Sequence, residues 1–427
     1  MEQRESLIKK IKGQLYFFVA GYFKIFAQIK LARWKPKVIV ITGSSGKTTT
    51  LNLVESQLKD NAVYSHHANS SYGVPFNILG LERKTLKHME WFSLILLAPF
   101  RIFTGTPKQK IYVVEADCDR PQEGIFLSTL LNPEVTIWLS STRTHSINFD
   151  SLVTDKKFPN VESAIAFEYS HFLEKTSNLV IYNSDSDLIK NQLGRTQAKT
   201  TSISEKSLNS YEVSKNGTKF KINKKTYSFK FLLPKASFSS VYASILLNEY
   251  LNVPIDESFG DFELPPGRSS IFKGIKTTTI IDSTYNTGFH AAAEILNMFR
   301  KFPGSKKWVV IGDILEQGKE EREEHEKLAA EILKMDLDRI VLVGPRVIKY
   351  TEPVLSRKNA KNVVSFENPK EVLDYLKANI EGGETILFKG ARFLEGVIGN
   401  LLENKSDISK LARREEVWDE RRKKWGL

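Results

Sequence analysis

Val38–Thr50 reads VIVITGSSGKTTT: β-branched residues run up to a glycine, the chain turns through two serines to a second glycine, and Lys47 is followed by a threonine run from Thr48. Strand, glycine loop and helix in that order make a phosphate-binding loop. The glycines let backbone N–H groups turn toward phosphate oxygens at a helix N-terminus. Lys47 brings a point charge to the β and γ phosphates, and the Thr48 hydroxyl is a ligand for Mg2+. Gly43, Ser44, Ser45, Gly46, Lys47, Thr48 and Thr49 are therefore the expected ATP contacts. Two residues separate the glycines, where the commoner form of the loop has four, and Ile41 stands where a first glycine would be.

Outward from the loop, apolar β-type runs recur at IYVVEA (111–116), VTIWLS (135–140) and LVIYNS (179–184), with helical stretches between them. Strands alternating with helices predict a mainly parallel, doubly wound sheet. Residues 210–233 alternate polar and apolar around an Asn-Gly pair and predict antiparallel hairpins. LPPGRSS (264–270) carries the strongest turn signal and marks a boundary. Past it come TTIIDS, a helix from His290, WVVIGD (308–313), a charged helix from 317, RIVLVG (339–344) and ETILFKG (384–390). The expected fold is α/β: a central P-loop ATPase domain over 37–266 with a hairpin portion, then a C-terminal Rossmann-like α/β domain over 267–427. The final ISKLARREEVWDERRKKW reads as a helix with a solvated charged face.

The 427 residues are 41% hydrophobic and 26% charged, the balance of a soluble globular protein. A single cysteine, Cys118, excludes a disulfide framework and a multi-cysteine metal site, and makes a reducing cytoplasm the default compartment. The net charge of +12 favours anionic partners, but no nucleic-acid-binding motif accompanies it, so nucleic acid is not expected. Residues 1–36 read as a basic amphipathic helix. It either packs on the next domain or makes peripheral contact with the inner face of the membrane. The apolar MEWFSLILLAPFRIF (89–103) is expected to pack beneath that helix or to share its membrane contact. A monomer is favoured.

The two-residue loop spacing resembles that of the Mur ligase family, the ATP-dependent amide-forming enzymes of peptidoglycan synthesis. Further segments resemble the family's motifs in matching order: HANSSYGVP (67–75), YVVEADCDRPQEG (112–124), NPEVTIWLSSTRTHSINFDS (132–151), PPGRSS (265–270), IIDSTYNTGFHAAAEIL (280–296), VVIGDILEQGKEEREEH (309–325) and ILFKGAR (386–392). Within the family the likeness is greatest to the members that add D-alanyl-D-alanine to a cell-wall peptide precursor.

The resemblance implies a substrate carboxylate attacking the γ-phosphate of ATP to give an acyl phosphate, which an amine then displaces. It implies Mg2+ held by Thr48, Glu115 and His145, nucleotide contacts from Asn69, Asp282, Tyr285 and Asn286, and Arg268 at a hinge near the γ-phosphate. It also implies substrate-carboxylate binding by Lys389 and Arg392. Three departures stand out. The family's carbamylated lysine has no counterpart, and Glu168 falls at its place as an already anionic metal ligand. The asparagine pair beside adenine has no clear equivalent in KASFSSVYAS (235–244). Residues 1–36 leave no room for the family's UDP-sugar-binding N-terminal domain, so a small-molecule or peptide-bearing acceptor is expected without a name. A poly-γ-glutamate or folylpolyglutamate-type ligase, and a weakly active nucleotide-binding subunit of a membrane-associated complex, remain alternatives.

Overall fold

The computed structural model describes residues 2–83, 88–285 and 288–427. They divide into two compact units: 1–142 with 151–205 and 239–255, and 143–150 with 206–238 and 256–427.

The first unit is built on a six-stranded parallel sheet. Its strands are β1 (Lys37–Thr42), β2 (Val63–Tyr64), β3 (Ile111–Ala116), β4 (Val135–Trp138), β5 (Leu179–Asn183) and β6 (Lys199–Ile203), in the order β2-β3-β1-β4-β5-β6. Strands β1, β3 and β4 are buried almost throughout, as unbroken β-branched runs require when both faces of a sheet are covered. β6 was not foreseen; its exposed KTTSI lacks an apolar face to announce it.

Helix α1 (Glu2–Trp34) precedes β1, and α2 (Lys47–Leu58) follows the phosphate loop. α3 (Gly73–Leu79) and α4 (His88–Arg101) lie between β2 and β3, and α5 (Glu123–Leu131) between β3 and β4. The short α6 (Asp150–Thr154) and the longer α7 (Val161–Lys175) follow β4. Ala20, Phe23, Ala27, Leu31 and Trp34 bury one face of α1. Phe23 meets the rings of Phe76 on α3 and Trp91 on α4, and the Tyr22 hydroxyl donates to the Ile95 carbonyl at 2.8 Å. Thus α1 does pack on its neighbours, with α4 against it.

The second unit has a six-stranded sheet in the order β10-β11-β15-β12-β13-β14. Its strands are β10 (Ser270–Lys273), β11 (Thr279–Ser283), β12 (Lys307–Gly312), β13 (Arg339–Val343), β14 (Val363–Phe366) and β15 (Thr385–Lys389). All neighbours pair in parallel except β10, an antiparallel edge strand missed in the sequence because SIFK follows a turn and is too short to show a period. Along β12, Val309 and Ile311 enter one apolar core while Trp308 and Val310 enter the other.

Strands β7 (Leu208–Ser214), β8 (Gly217–Ile222) and β9 (Lys225–Phe229) form an antiparallel meander. The Asn-Gly pair is not its only tight turn. Asn223 and Lys224 both take positive φ (46° and 72°), the signature of a type I′ two-residue loop. The final charged segment is also not one solvated helix. It breaks into a 3-10 turn (Lys405–Lys410) and a helix (Glu416–Lys423), and Arg422 is buried on Glu395, a fully buried carboxylate.

Buried Asp313, just past β12, organises the loops at that end of the sheet. Its Oδ1 accepts from the backbone N–H of Arg346 and Val347, both at 3.0 Å, and its Oδ2 accepts from Nε and Nη2 of Arg392 at 2.9 and 2.6 Å. Asp313→Ala leaves four donors without their acceptor. We expect it to destabilise the unit by about 2 kcal/mol, the low side for a broken buried pair because both arginines keep some solvent. A thermal melt or urea titration measures the loss; an unchanged midpoint would contradict this placement.

Candidate functional site

The loop after β1 is closed against the loop after β4. Gly43 has φ 126°, and a Cβ there would sit 2.7 Å from the Ser140 carbonyl oxygen, so only glycine fits. The Ser44 N–H donates to that carbonyl at 3.1 Å and the Ser45 N–H to the Ser140 hydroxyl at 2.9 Å. The Ser44 hydroxyl accepts from the Thr142 N–H. Thr49 is buried on α2 behind the loop.

Four of the expected residues converge at the carboxyl ends of β1 and β3, where open α/β sheets bind ligands. Parallel pairing sets Ile41 opposite Glu115 and Thr42 opposite Ala116. From the first turn of α2, the Thr48 hydroxyl donates to Glu115 Oε2 at 2.9 Å. The Asn69 amide lies 3.4 Å from Glu115 Oε1, and the Ser65 hydroxyl fixes the Glu115 N–H at 2.9 Å. Lys47, buried, donates to the Gly43 carbonyl at 2.5 Å and pairs with Asp117 Oδ2 at 2.7 Å. Burial works to discharge its ammonium, but Asp117 and Glu115 outweigh it and raise its pKa, so Lys47 is charged.

Asp117 is a residue of the candidate site that sequence reasoning missed. Its signal was the alternation in EADCD, which returns a second carboxylate two positions after Glu115. Its Oδ1 accepts from the Tyr169 hydroxyl on α7 at 2.7 Å and from the Cys118 N–H at 2.9 Å. Tyr169 adjoins Glu168, the expected stand-in for the carbamylated lysine. Glu168 itself, buried, spends both oxygens on backbone: Oε1 accepts from the Gln122 N–H at 2.8 Å and Oε2 from the Gly124 N–H at 3.0 Å. It caps the first turn of α5. Burial pushes its carboxyl up, against these two donors. Burial also pushes the Cys118 thiol well up, with Glu168 adding to the effect.

In the second unit, His145 has positive φ (47°), and its Nδ1 lies 2.6 Å from Glu316 Oε2, a hydrogen bond that holds the glutamate below the usual carboxylate range. A carboxylate on one ring nitrogen fixes the tautomer, as is common for metal-binding histidines. Asp282 is buried at the end of β11. Its Oδ1 accepts from the Thr284 N–H and hydroxyl at 3.0 and 2.7 Å, while Oδ2 has no hydrogen-bond partner among the described residues; burial pushes the carboxyl up to about 6. Arg268 lies over the Tyr285 ring, 4.8 Å from its centroid. Asn286 lies outside the described residues. Lys389 is buried at the end of β15, where burial and then Arg268 lower its pKa to about 7. Arg392, expected on a substrate carboxylate, has its guanidinium committed to Asp313.

Residues 41–239 match the model of the Mur ligase middle domain, and residues 267–392 match that of the Mur ligase glutamate ligase domain. The chain belongs to the Mur ligase family. As a Mur ligase it is an ATP-dependent, ADP-forming enzyme. Among curated relatives it is 24% identical over 389 residues to the UDP-N-acetylmuramoyl-tripeptide–D-alanyl-D-alanine ligase of Bacillus subtilis, covering 86% of this chain and 76% of that protein. The ligase of the same name from Escherichia coli is 23% identical, with 88% and 80% covered. Among solved structures, the MurF ligase of Thermotoga maritima in complex with ADP superposes with a TM-score of 0.71 at 20% identity, covering 92% of this chain and 84% of that one.

The buried lysine supplies a pH test. Lys389 has a folded pKa of about 7 against an ordinary 10.5, so between these values the unfolded chain binds the proton that the folded chain does not. Its contribution to stability therefore rises with pH from about 7 towards 10. The stability difference between wild type and Lys389→Met, followed by thermal melts across that range, should shift in favour of wild type as pH rises. A flat difference would place Lys389 in a solvated setting.

Proposed function

We propose that this Mur ligase joins an amine, as an amino acid or D-alanyl-D-alanine, to the carboxylate of a cell-wall peptide precursor through an acyl phosphate. The observation that carries this reading is the meeting of Lys47, Thr48, Asn69 and Glu115 at the carboxyl ends of β1 and β3. A carboxylate attacking a triphosphate meets like charge, so cations and hydrogen-bond donors must stand between the two.

Each residue has a role in that scheme. The loop Gly43–Thr49 binds the phosphates, and Lys47 exchanges Asp117 for the β and γ phosphates. Asp117, with Tyr169 behind it, positions the lysine. Thr48 and Glu115 supply hard oxygen ligands of the kind Mg2+ prefers, and their placement beside the phosphate loop fits that ion. Mg2+ there would neutralise phosphate charge during transfer. His145, oriented by Glu316, belongs to the proposed metal set, and Glu168 supports it by holding the start of α5. Asp282 and Tyr285 take the nucleoside, Arg268 the γ-phosphate, and Lys389 the acceptor's carboxylate. Arg392 reaches substrate only by leaving Asp313. The nucleotide-binding domain is assigned to 37–266 and the C-terminal one to 267–427, with 143–150, 206–238 and 256–266 of the former belonging to the second compact unit. The enzyme acts as a cytoplasmic monomer, with residues 1–36 at the inner face of the membrane.

Phosphate release from ATP, measured against a panel of UDP-muramyl peptides, D-alanyl-D-alanine and glutamate, tests the reading. Release should require one muramyl peptide together with one amine, and Lys47→Ala should lower it by at least about 100-fold, the scale of losing a principal charge on the transferred group. Turnover on glutamate with a folate or polyglutamate acceptor alone would replace this reading with the polyglutamate one. Unchanged turnover in Lys47→Ala would remove the lysine's role.

A further inference from the structure

Ten of the sixteen exposed large apolar side chains among the described residues lie on α1, on α4 or two residues past it. On α1 these are Leu15, Phe18, Ile25 and Ile29. At 100° per residue they share a sector of ~80°, opposite the buried Phe23, Ala27 and Trp34. On α4 they include Met89, Phe92, Leu96 and Phe100, again within ~80°, with Phe103 continuing the stripe. The helices lie side by side in the same sense: Tyr22 and Phe23 meet Ile95 and Trp91, while Lys30 and Arg33 bond to Thr104 and the Ile102 carbonyl. Single exposed apolar residues are ordinary, but a two-helix concentration of them marks a contact surface.

Charge identifies the contact. Residues 1–36 and 83–110 hold 14 basic and three acidic residues, leaving 48 basic and 47 acidic in all the rest. These two segments thus carry nearly the whole net charge of +12. A second copy docking on the same face would bring two such positive charges together. The length and composition of Leu15–Trp34 would suit a bilayer-crossing helix. In the structure, however, Lys24 donates to the Phe126 carbonyl and the Thr129 hydroxyl, Trp34 Nε1 to the Gln109 carbonyl, and the Tyr16 hydroxyl to Glu123. Crossing would abandon these bonds, whereas lying flat keeps them.

We infer that the exposed faces of α1 and α4 together form a docking surface for an anionic phospholipid bilayer. Their apolar side chains enter the boundary between headgroups and acyl chains, and the exposed lysines at the ends of these segments, Lys35 and Lys108, meet lipid phosphate, while Lys24, Lys30 and Arg33 keep their bonds within the protein. This extends the membrane contact of residues 1–36 to a second helix, and it stands whether or not the proposed ligase substrates are right.

Flotation of the full chain with phosphatidylcholine vesicles, with and without phosphatidylglycerol, tests it. Binding should be at least about tenfold tighter with the anionic lipid and should weaken at high salt. Phe92→Ser/Phe100→Ser should lower it by about tenfold without moving the thermal midpoint, because both side chains are exposed. Lys35→Glu/Lys108→Glu should remove the preference for anionic lipid. Absence of flotation by wild type, or binding unaffected by either double substitution, overturns the inference. So does a vesicle-indifferent dimer, seen by sedimentation, that Phe92→Ser/Phe100→Ser dissolves.

Discussion

Parallel pairing of β1 with β3 on one side and β4 on the other is the constraint on which the nucleotide half of this protein rests. It brings the ends of three strands level, with Thr42 beside both Ala116 and Trp138. The loop after each strand must then share one small space. Gly43 touches Ser140, Lys47 reaches Asp117, and Thr48 reaches Glu115 because register brings these residues together. A one-residue slip of β3 would turn Glu115 to the other face of the sheet and bring an apolar side chain to Thr48.

The buried charges of the site are balanced locally rather than by water. Lys47 faces Asp117, and Asp117 takes a second donor from Tyr169. Such a pair contributes little to stability on its own account, since desolvation offsets most of the attraction. Its value lies in holding a charged lysine, at a set position, where phosphate is to bind. The second unit uses the same device at Asp313, with arginine and helix-end amides as partners. There the carboxylate organises loops and leaves Arg392 committed.

Much of this was legible in the residues. Uninterrupted β-branched runs gave away β1, β3, β4, β12 and β13, because strands buried on both faces need no alternation to be recognised. Strands β6, β10 and β14 were not legible: each is short and partly exposed, and is a strand mainly because a neighbour offers hydrogen bonds. The phosphate loop was legible from its strand–glycine–helix order, and Glu115 and Asn69 from their resemblance to family motifs. Asp117 was not legible, because its ion pair depends on the reach of Lys47 across from α2. Glu168 shows the opposite limit. Its position in the chain suggested a metal ligand, but the cap it provides depends on how closely α5 approaches α7, which spacing alone does not encode.

Glu123 collects three elements on one carboxylate. Its Oε1 accepts from the Tyr16 hydroxyl of α1 and from the N–H and hydroxyl of Ser71, and its Oε2 accepts from the Asp119 N–H. The first helix is therefore bolted to the strip of chain that holds Asn69 and Asp117, not hung from it by a hinge. A surface held through such a helix would behave like a mounting plate rather than a tether. The catalytic unit would keep one fixed attitude to whatever it rests on, and its substrates would have to arrive from the side left open.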